Sequence, residues 1–180
     1  MNGSELKEIA QKVKSIGEEV RESLGCGFIE AIYQNALAIE FRKKNIDYLK
    51  EVNIEIFYKG ESVGVDRPDF IITKIDDCKE PILLELKVSD KIGDGHRIQL
   101  KSYCTSLPRN NNPLLKGFAG GILLVFPNCD IEGEPTIKMF VVDAKFNVLI
   151  DEQKEEERLI AEQKLKEREN KKQEKKEIKK

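Results

Sequence analysis

The sequence predicts a mixed α/β domain with a charged C-terminal segment. Residues 4–24 repeat apolar side chains at helical spacing, residues 52–73 hold two alternating segments around a glycine turn, and residues 81–89 and 120–126 are short apolar runs typical of buried strands. Helices and strands that follow one another in this way form a central mixed β-sheet flanked by helices. We expect the domain to cover residues 1–150 and the charged helix or disordered tail to cover 151–180.

Two helices open the chain. Ser4 is a plausible N-cap for the first, which carries one apolar stripe and stops at Gly25. A second helix is predicted from about 28 to 44. Its core side is expected to consist of Ile29, Ile32, Ala36 and Ile39.

A hairpin follows, with strands over 52–57 and 63–73 and a turn at 58–62. Pro68 interrupts the return strand, which marks an edge or a bulge that would re-aim Asp69. Later elements are a helix over about 96–106, a surface loop over 107–117, and strands over 120–126 and 136–142, the last after a turn at 130–134.

The strand at 81–89 carries the most informative polar pair. Strand side chains alternate between faces, so Glu85 and Lys87 share one face with Leu83. Burying either charge alone is costly, so the two must satisfy each other or face a functional cleft. A structural ion pair at a strand end remains an open alternative.

Other candidate residues each have an ordinary explanation. Glu30, in the first turn of the second helix, complements the helix dipole, and Asp69 could be an edge-strand acid beside Arg67. His96, Gln99 and Tyr103 fall near one face of the helix over 96–106, which could simply be a solvated polar face.

On that same helix Arg97 and Lys101 lie four residues apart. They form a small basic strip that is a candidate for nucleic-acid contact. Such a local patch matters because the chain as a whole, with 31 Lys and Arg against 33 Asp and Glu, has a net charge of -2. That charge does not indicate a nucleic-acid binder.

The cysteines and the apolar runs indicate the cellular compartment in which the protein is expected. Cys26, Cys78, Cys104 and Cys129 are far apart and are expected to be free thiols, a spacing that disfavours zinc and iron–sulfur sites. The longest apolar run, 118–126, is too short to span a bilayer, and residues 1–7 show no apolar signal region. We expect an intracellular protein, cytoplasmic or nuclear, without membrane contact.

The C-terminal segment is strongly polarised in charge. Residues 151–163 carry 6 acids and 2 bases, whereas 164–180 carry 4 acids and 9 bases. The apolar residues do not sustain a heptad, so a solvated helix or fraying tail is expected. A basic arm for phosphate backbones, or a docking segment for a protein partner or second copy, is the functional alternative.

Glu30, Asp69 and Glu85 become informative when taken together. Three carboxylates that meet at one point would form an oxygen-rich site suited to Mg²⁺ or Mn²⁺. A lysine beside that ion, here Lys87, can activate a water and offset charge on a phosphate.

The order Pro68, Asp69, Glu85, Lys87 resembles the PD-(D/E)XK nuclease superfamily, which has a restriction-endonuclease-like core. Gln99 and Tyr103 resemble the additional motif of its RecB-like and Cas4-like branch. More narrowly, Gly27, Glu30 and Tyr33 stand at the spacing of the GxxExxY family, and His96 also fits that family's pattern. The resemblance covers roughly residues 5–145.

The resemblance implies that Glu30, Asp69 and Glu85, with the Leu86 carbonyl, hold one divalent metal. It also implies that Lys87 assists the attacking water and that Gln99 and Tyr103 orient catalytic groups or the substrate strand. Some members of the Cas4-like branch carry an iron–sulfur cluster, but the cysteine spacing here argues against one.

A metal-dependent nuclease, with DNA favoured over RNA, is the leading hypothesis. The alternatives are a non-catalytic nucleic-acid-binding or assembly module on the same fold, and an interaction protein that docks a partner through its tail.

Overall fold

The structure is a computed structural model that describes residues 1–110, 112–128 and 136–177. Its α-helices are α1 (Gly3–Leu24), α2 (Glu30–Lys43), α3 (Asp94–Ser106) and α4 (Glu152–Glu177). Its strands are β1 (Asp47–Lys50), β2 (Ile54–Tyr58), β3 (Glu61–Asp66), β4 (Phe70–Lys74), β5 (Ile82–Val88), β6 (Gly120–Phe126), β7 (Lys138–Asp143) and β8 (Val148–Asp151). Two short 3-10 helices, Leu107–Arg109 and Pro113–Leu115, lie in the predicted loop.

Six strands form one mixed sheet in the order β1-β4-β5-β6-β7-β8. Among the described strands only the central pair β5–β6 is parallel, and α3 makes the crossover between these two strands. β2 and β3 form a separate two-stranded sheet. The predicted mixed α/β fold with a helix-flanked sheet is therefore confirmed.

The sheet divides the core into two layers. On one face α1 and α2 cover Ile82, Leu84 and Leu86 of β5. On the other face α3 and the β2–β3 hairpin cover Leu83. This division confirms the alternation predicted for β5, and it leaves α2 and α3 on opposite sides of that strand.

The cap of α1 differs from the prediction. Asn2, not Ser4, is the N-cap: its Oδ1 accepts from the backbone N–H groups of Ser4 (2.9 Å) and Glu5 (3.0 Å). The Glu5 carboxylate accepts in return from the Asn2 N–H at 2.9 Å, which completes a capping box.

The predicted core side of α2 is wrong for its three isoleucines, whereas Ala36 is half-buried and packs against the core. Ile29 is 72% exposed, Ile32 40% and Ile39 45%, whereas the residues that pack inward are Tyr33, Gln34, Leu37, Ala38 and Phe41. The helix is apolar on two opposite sides, so periodicity alone could not select the side that faces the sheet.

The return strand predicted over 63–73 is two strands in different sheets. β3 ends at Asp66, and β4 begins at Phe70 in the six-stranded sheet. The break falls at Pro68, which has no backbone N–H to contribute to a continuous ladder. Two short edge strands, β1 and β8, were not predicted because four residues give little periodic signal.

The charged C-terminal segment forms one helix whose first turn is held by the domain. Lys14 contacts Glu152 at 2.8 Å, and the Glu152 carboxylate also accepts from the Met139 N–H at 2.7 Å. The side chains of residues 158–169 are all exposed, as expected for a solvated helix.

The cysteines partly depart from expectation. Cys78 and Cys104 are free, but Cys26 is disulfide-bonded. Cys129 and the predicted turn at 130–134 lie outside the described residues. Within the described part of the chain, no helix is both long and apolar enough to cross a membrane.

Candidate active site

The site is built at the carboxyl end of β5. Glu85 is only 2% exposed, and its Oε1 accepts from Lys87 Nζ at 2.7 Å. The two side chains leave the same face of the strand, as alternation predicts, and the pair satisfies its opposite charges directly.

Asp69, the residue immediately before β4, joins this pair. Its Oδ2 accepts from the Leu86 N–H at 2.7 Å, and its own N–H lies 3.4 Å from Glu85 Oε2. The strand is interrupted at Pro68, and β4 then runs beside β5. This path places the Asp69 side chain next to Leu86. The contact of Leu86 with this site is made by its backbone N–H.

The N-terminal half of α2 closes the site from the other side. Glu30 Oε1 lies 3.5 Å from Lys87 Nζ, and the Glu30 side chain is 34% exposed. Gln34, one turn further along α2, donates from Nε2 to Glu30 Oε1 at 3.3 Å and to Asp69 Oδ1 at 2.7 Å. The structure therefore joins Glu30, Asp69, Glu85 and Lys87 in one hydrogen-bonded network.

Burial and crowding make the two inner carboxylates hard to ionise. Burial raises the pKa of Asp69 to about 6, and the charge of Glu30 adds to this, although the Leu86 N–H and Lys87 oppose it. Burial, with the charge of Asp69, raises the pKa of Glu85 to about 7 against the opposing effect of Lys87.

Lys87 offsets the negative charge of these carboxylates. Burial disfavours its ammonium, but the hydrogen bond to Glu85 and the charges of Glu85, Glu30 and Asp69 outweigh burial and raise the pKa of Lys87. One ammonium thus faces three carboxyl groups, which leaves a site that favours additional positive charge.

α3 contributes the remaining polar groups. Tyr103 is 2% exposed, accepts from Gln99 Nε2 at 2.9 Å and donates to Asp66 Oδ1 at 3.2 Å. Burial is the main reason that the pKa of Tyr103 rises to about 12, so the phenol stays protonated as a donor. Asp66 ends β3, so this contact ties the hairpin to α3.

His96 lies on the same side of α3 as Gln99. Its Nδ1 accepts from the Gly93 N–H at 3.3 Å. Burial, followed by the charge of Lys87, lowers the pKa of His96, which favours the neutral imidazole.

The two residues of the basic strip have different surroundings. Arg97 is engaged by the fold: its Nη2 binds both Asp151 oxygens at 2.9 and 3.2 Å, and its Nη1 donates to the Ile92 carbonyl at 2.9 Å. This ion pair anchors the end of β8 to α3, which argues against a free guanidinium for nucleic acid. Lys101 is exposed, with its Nζ 5.7 Å from the centre of the Phe146 ring.

The donor set fits a hard divalent cation in its chemistry, because carboxylate oxygens are the ligands that Mg²⁺ and Mn²⁺ prefer. In the conformation described, however, no group of three or more His, Cys, Asp or Glu residues is arranged to hold a metal ion, within the part of the chain that the structure covers. The cation that contacts Glu30 and Glu85 here is the Lys87 ammonium.

The sequence analysis did not identify Gln34, which belongs to the Glu30–Asp69 network, or Asp66, which binds Tyr103. Gln34 lies one turn after Glu30 on α2, a spacing that could have been noticed, but an amide carries no charge signal. No local pattern singles out Asp66, because its partner Tyr103 is 37 positions away in the sequence. Only the tertiary structure brings these groups to the site.

The raised pKa values predict a pH-dependent stability. A carboxyl whose pKa is higher in the folded than in the unfolded chain contributes no penalty below its unfolded value, here 4.5 for Glu85, and its full penalty above about 7. Urea unfolding with a chelator present should therefore show the stability of Glu85→Gln rising relative to the native chain as pH increases from 4.5 to 7.

The control for this series is Glu61→Gln, since Glu61 is exposed on β3. The control curve should run parallel to the native curve over the whole range. Parallel curves for Glu85→Gln as well would contradict a raised pKa at Glu85.

Comparison with known proteins supports the family expected from the motifs. A family model described as the PD-(D/E)XK nuclease superfamily matches residues 7–131, more than half of the chain. The searches of curated proteins and of solved structures gave no significant match. The matched region contains Glu30, Asp69, Glu85, Lys87, Gln99 and Tyr103. The chain therefore belongs to the PD-(D/E)XK nuclease superfamily.

Proposed function

We propose that the protein is a nuclease that uses Mg²⁺ or Mn²⁺ to hydrolyse phosphodiester bonds of DNA, or of RNA. The observation that carries this proposal is the convergence of Glu30, Asp69, Glu85 and Lys87 in one hydrogen-bonded network at the end of β5. These residues come from three separate elements, so local sequence alone does not explain their meeting.

We assign the metal to Glu30, Asp69 and Glu85, with the Leu86 carbonyl as a further oxygen ligand. The support is electrostatic: two of the three carboxyl groups have raised pKa values, and only one ammonium offsets them. A divalent cation would supply the missing positive charge and would favour the ionised carboxylates. When bound, such an ion polarises a phosphoryl oxygen and acidifies a water.

Lys87 would then offset the negative charge that develops on the phosphate and help to orient the attacking water. Gln99 and Tyr103 would position the substrate strand or the catalytic carboxylates. Their mutual hydrogen bond and the Tyr103–Asp66 bond hold both groups in place, which is what positioning requires.

Within the superfamily, we place the chain in the RecB-like and Cas4-like branch and, more narrowly, in the GxxExxY family. Gln99 and Tyr103 support the branch. Gly27, Glu30 and Tyr33 support the narrower assignment, because Glu30 meets Lys87 while Tyr33 packs in the core and donates to the Gly25 carbonyl at 3.0 Å.

Cleavage assays test the catalytic assignment. Native protein should cut single- or double-stranded DNA or RNA with Mg²⁺ or Mn²⁺, and Asp69→Asn or Lys87→Ala should lower the rate by about 100-fold or more, because each removes a charged group that acts on the transition state. Glu61→Gln serves as the matched control and should cleave as the native chain does.

No cleavage of any of these substrates by the native protein, or full activity in both variants, would contradict the proposal. The alternative would then be a non-catalytic nucleic-acid-binding or assembly module. The exposed side chains of residues 158–169 and the basic composition of 164–180 are the features that support that alternative.

Gln34 provides a separate test of the metal assignment. Because its amide orients both Glu30 and Asp69, Gln34→Ala should weaken Mn²⁺ binding by about 10- to 100-fold, as loss of a group that orients metal ligands typically does. Isothermal titration calorimetry with Mn²⁺ measures this effect.

The control is Gln11→Ala, since Gln11 is exposed on α1. It should bind Mn²⁺ as the native chain does. Unchanged affinity in Gln34→Ala, with the variant folded by circular dichroism, would show that these carboxylates do not form the metal site.

A further inference from the structure

His96 is a polar residue beside the site that the proposed mechanism does not use. It lies in the first turn of α3 and shares one side of this helix with Gln99 and Tyr103, because the three are separated by intervals of three and four residues. α3 follows β5 after a short loop and packs against that strand. The first turn of α3 therefore lies near the carboxyl end of β5, where the site is built.

One nitrogen of the His96 imidazole is committed to the fold. Nδ1 accepts a hydrogen bond from the Gly93 N–H at 3.3 Å, and an accepting ring nitrogen carries no proton. In the neutral imidazole the proton is therefore on Nε2. None of the residues that the structure describes accepts a hydrogen bond from this Nε2–H. The ring is thus held by one nitrogen and has a donor available at the other.

The electrostatic surroundings of the ring include two charged groups of the site. Burial lowers the pKa of His96 most, the charge of Lys87 lowers it further, and the charge of Glu30 opposes both. These two charged groups lie 3.5 Å apart, so the imidazole is within electrostatic reach of the place where α2 meets β5. A neutral imidazole can donate a hydrogen bond without adding a positive charge that would repel a divalent cation.

The other side-chain donors of the site already serve protein acceptors. Lys87 and Gln34 donate to the inner carboxylates, at 2.7 Å in each case. Gln99 donates to the Tyr103 hydroxyl, which in turn donates to the end of the β2–β3 hairpin. The Nε2–H of His96 differs from these donors because no described residue takes it up. It is therefore suited to bind an acceptor that a ligand brings.

The turn that carries His96 also leaves space for a ligand. Gly93 and Gly95 flank this turn, and a Cβ atom added at either glycine would meet no atom within 4 Å beyond its immediate chain neighbourhood, in the part of the chain that the structure describes. A phosphate group can therefore approach the turn closely. Its non-bridging oxygens are negatively charged and are strong acceptors for an N–H donor.

We propose that His96 is a further substrate-contacting residue, which donates from Nε2–H to a non-bridging oxygen of the bound phosphodiester. This inference rests on the proposed function, since it requires a phosphodiester in the site. No proton is transferred in this contact. The hydrogen bond holds the phosphate in position and offsets the negative charge that grows on it in the transition state.

Two amide substitutions separate this role from a structural one. In His96→Gln the side-chain Nε2 takes the place of the imidazole Nε2 and keeps a donor, whereas in His96→Asn the Oδ1 takes the place of Nδ1 and keeps the acceptor for Gly93. With Mn²⁺ and DNA, kcat/KM should fall by about 10- to 100-fold in His96→Asn, because a hydrogen bond to a charged group is lost. His96→Gln should keep most of the activity. A purely structural role for His96 would give the opposite order.

The matched control is Ser102→Ala, since Ser102 is exposed on α3. This control should cleave as the native chain does, and His96→Asn should keep the native unfolding midpoint. Native activity in His96→Asn would overturn the inference and leave the proposed function standing. A native protein that cleaves no substrate would instead contradict the proposed function.

Nitrogen NMR tests the inference without any cleavage. His96 is the only histidine in the sequence, so a histidine-labelled sample gives one pair of imidazole nitrogen signals. The free protein should show the proton on Nε2. A DNA oligonucleotide added with Mg²⁺ to Asp69→Asn, which slows cleavage, should shift the Nε2 signal more than the Nδ1 signal. A proton on Nδ1 in the free protein, or an Nε2 signal that does not change at the highest oligonucleotide concentration, would overturn the inference.

Discussion

The burial of Asp69 and Glu85 side by side at the end of β5 is the constraint on which the site depends. Two carboxyl groups that are 8% and 2% exposed would repel each other strongly if both were ionised without help. Their oxygens are satisfied by Lys87 Nζ, Gln34 Nε2, the Leu86 N–H and the Asp69 N–H. Each of these donors comes from an element that the fold must place correctly.

The topology supplies that placement. β5 lies in the centre of the sheet, where Glu85 and Lys87 pair with Leu123 and Val125 of β6, whereas the pairing with β4 ends at Leu84. The interruption of the strand at Pro68 separates the β2–β3 hairpin from the six-stranded sheet and places Asp69 beside Leu86. α2 and α3 pack against opposite faces of the sheet, Glu30 of α2 reaches Lys87 near the end of β5, and Tyr103 of α3 binds Asp66 at the end of the hairpin. Sites held by strands and helices in this way are more precisely positioned than sites on loops.

The sequence predicted the parts of this arrangement that depend on short-range pattern. Alternation along β5 placed Glu85 and Lys87 on one face, and the order of Asp69, Glu85 and Lys87 indicated the superfamily that the family comparison then identified. It could not predict that Gln34 bridges Glu30 and Asp69, or that Arg97 is bound by Asp151, since both depend on tertiary contacts. The same limit explains α2, because Ile29, Ile32 and Ile39 repeat at the spacing of a core face although all three are exposed.

We propose that a divalent cation neutralises the excess negative charge of the site. Unfolding free energies measured at pH 8 with and without Mn²⁺ test this metal assignment most directly. Binding to the folded chain alone should stabilise the native protein by about 2.7 kcal/mol when Mn²⁺ is at a hundredfold excess over its dissociation constant. Glu85→Gln should lose most of that gain, and Glu61→Gln should keep it. An equal gain in Glu85→Gln, or no gain in the native protein, would contradict a metal site formed by these carboxylates.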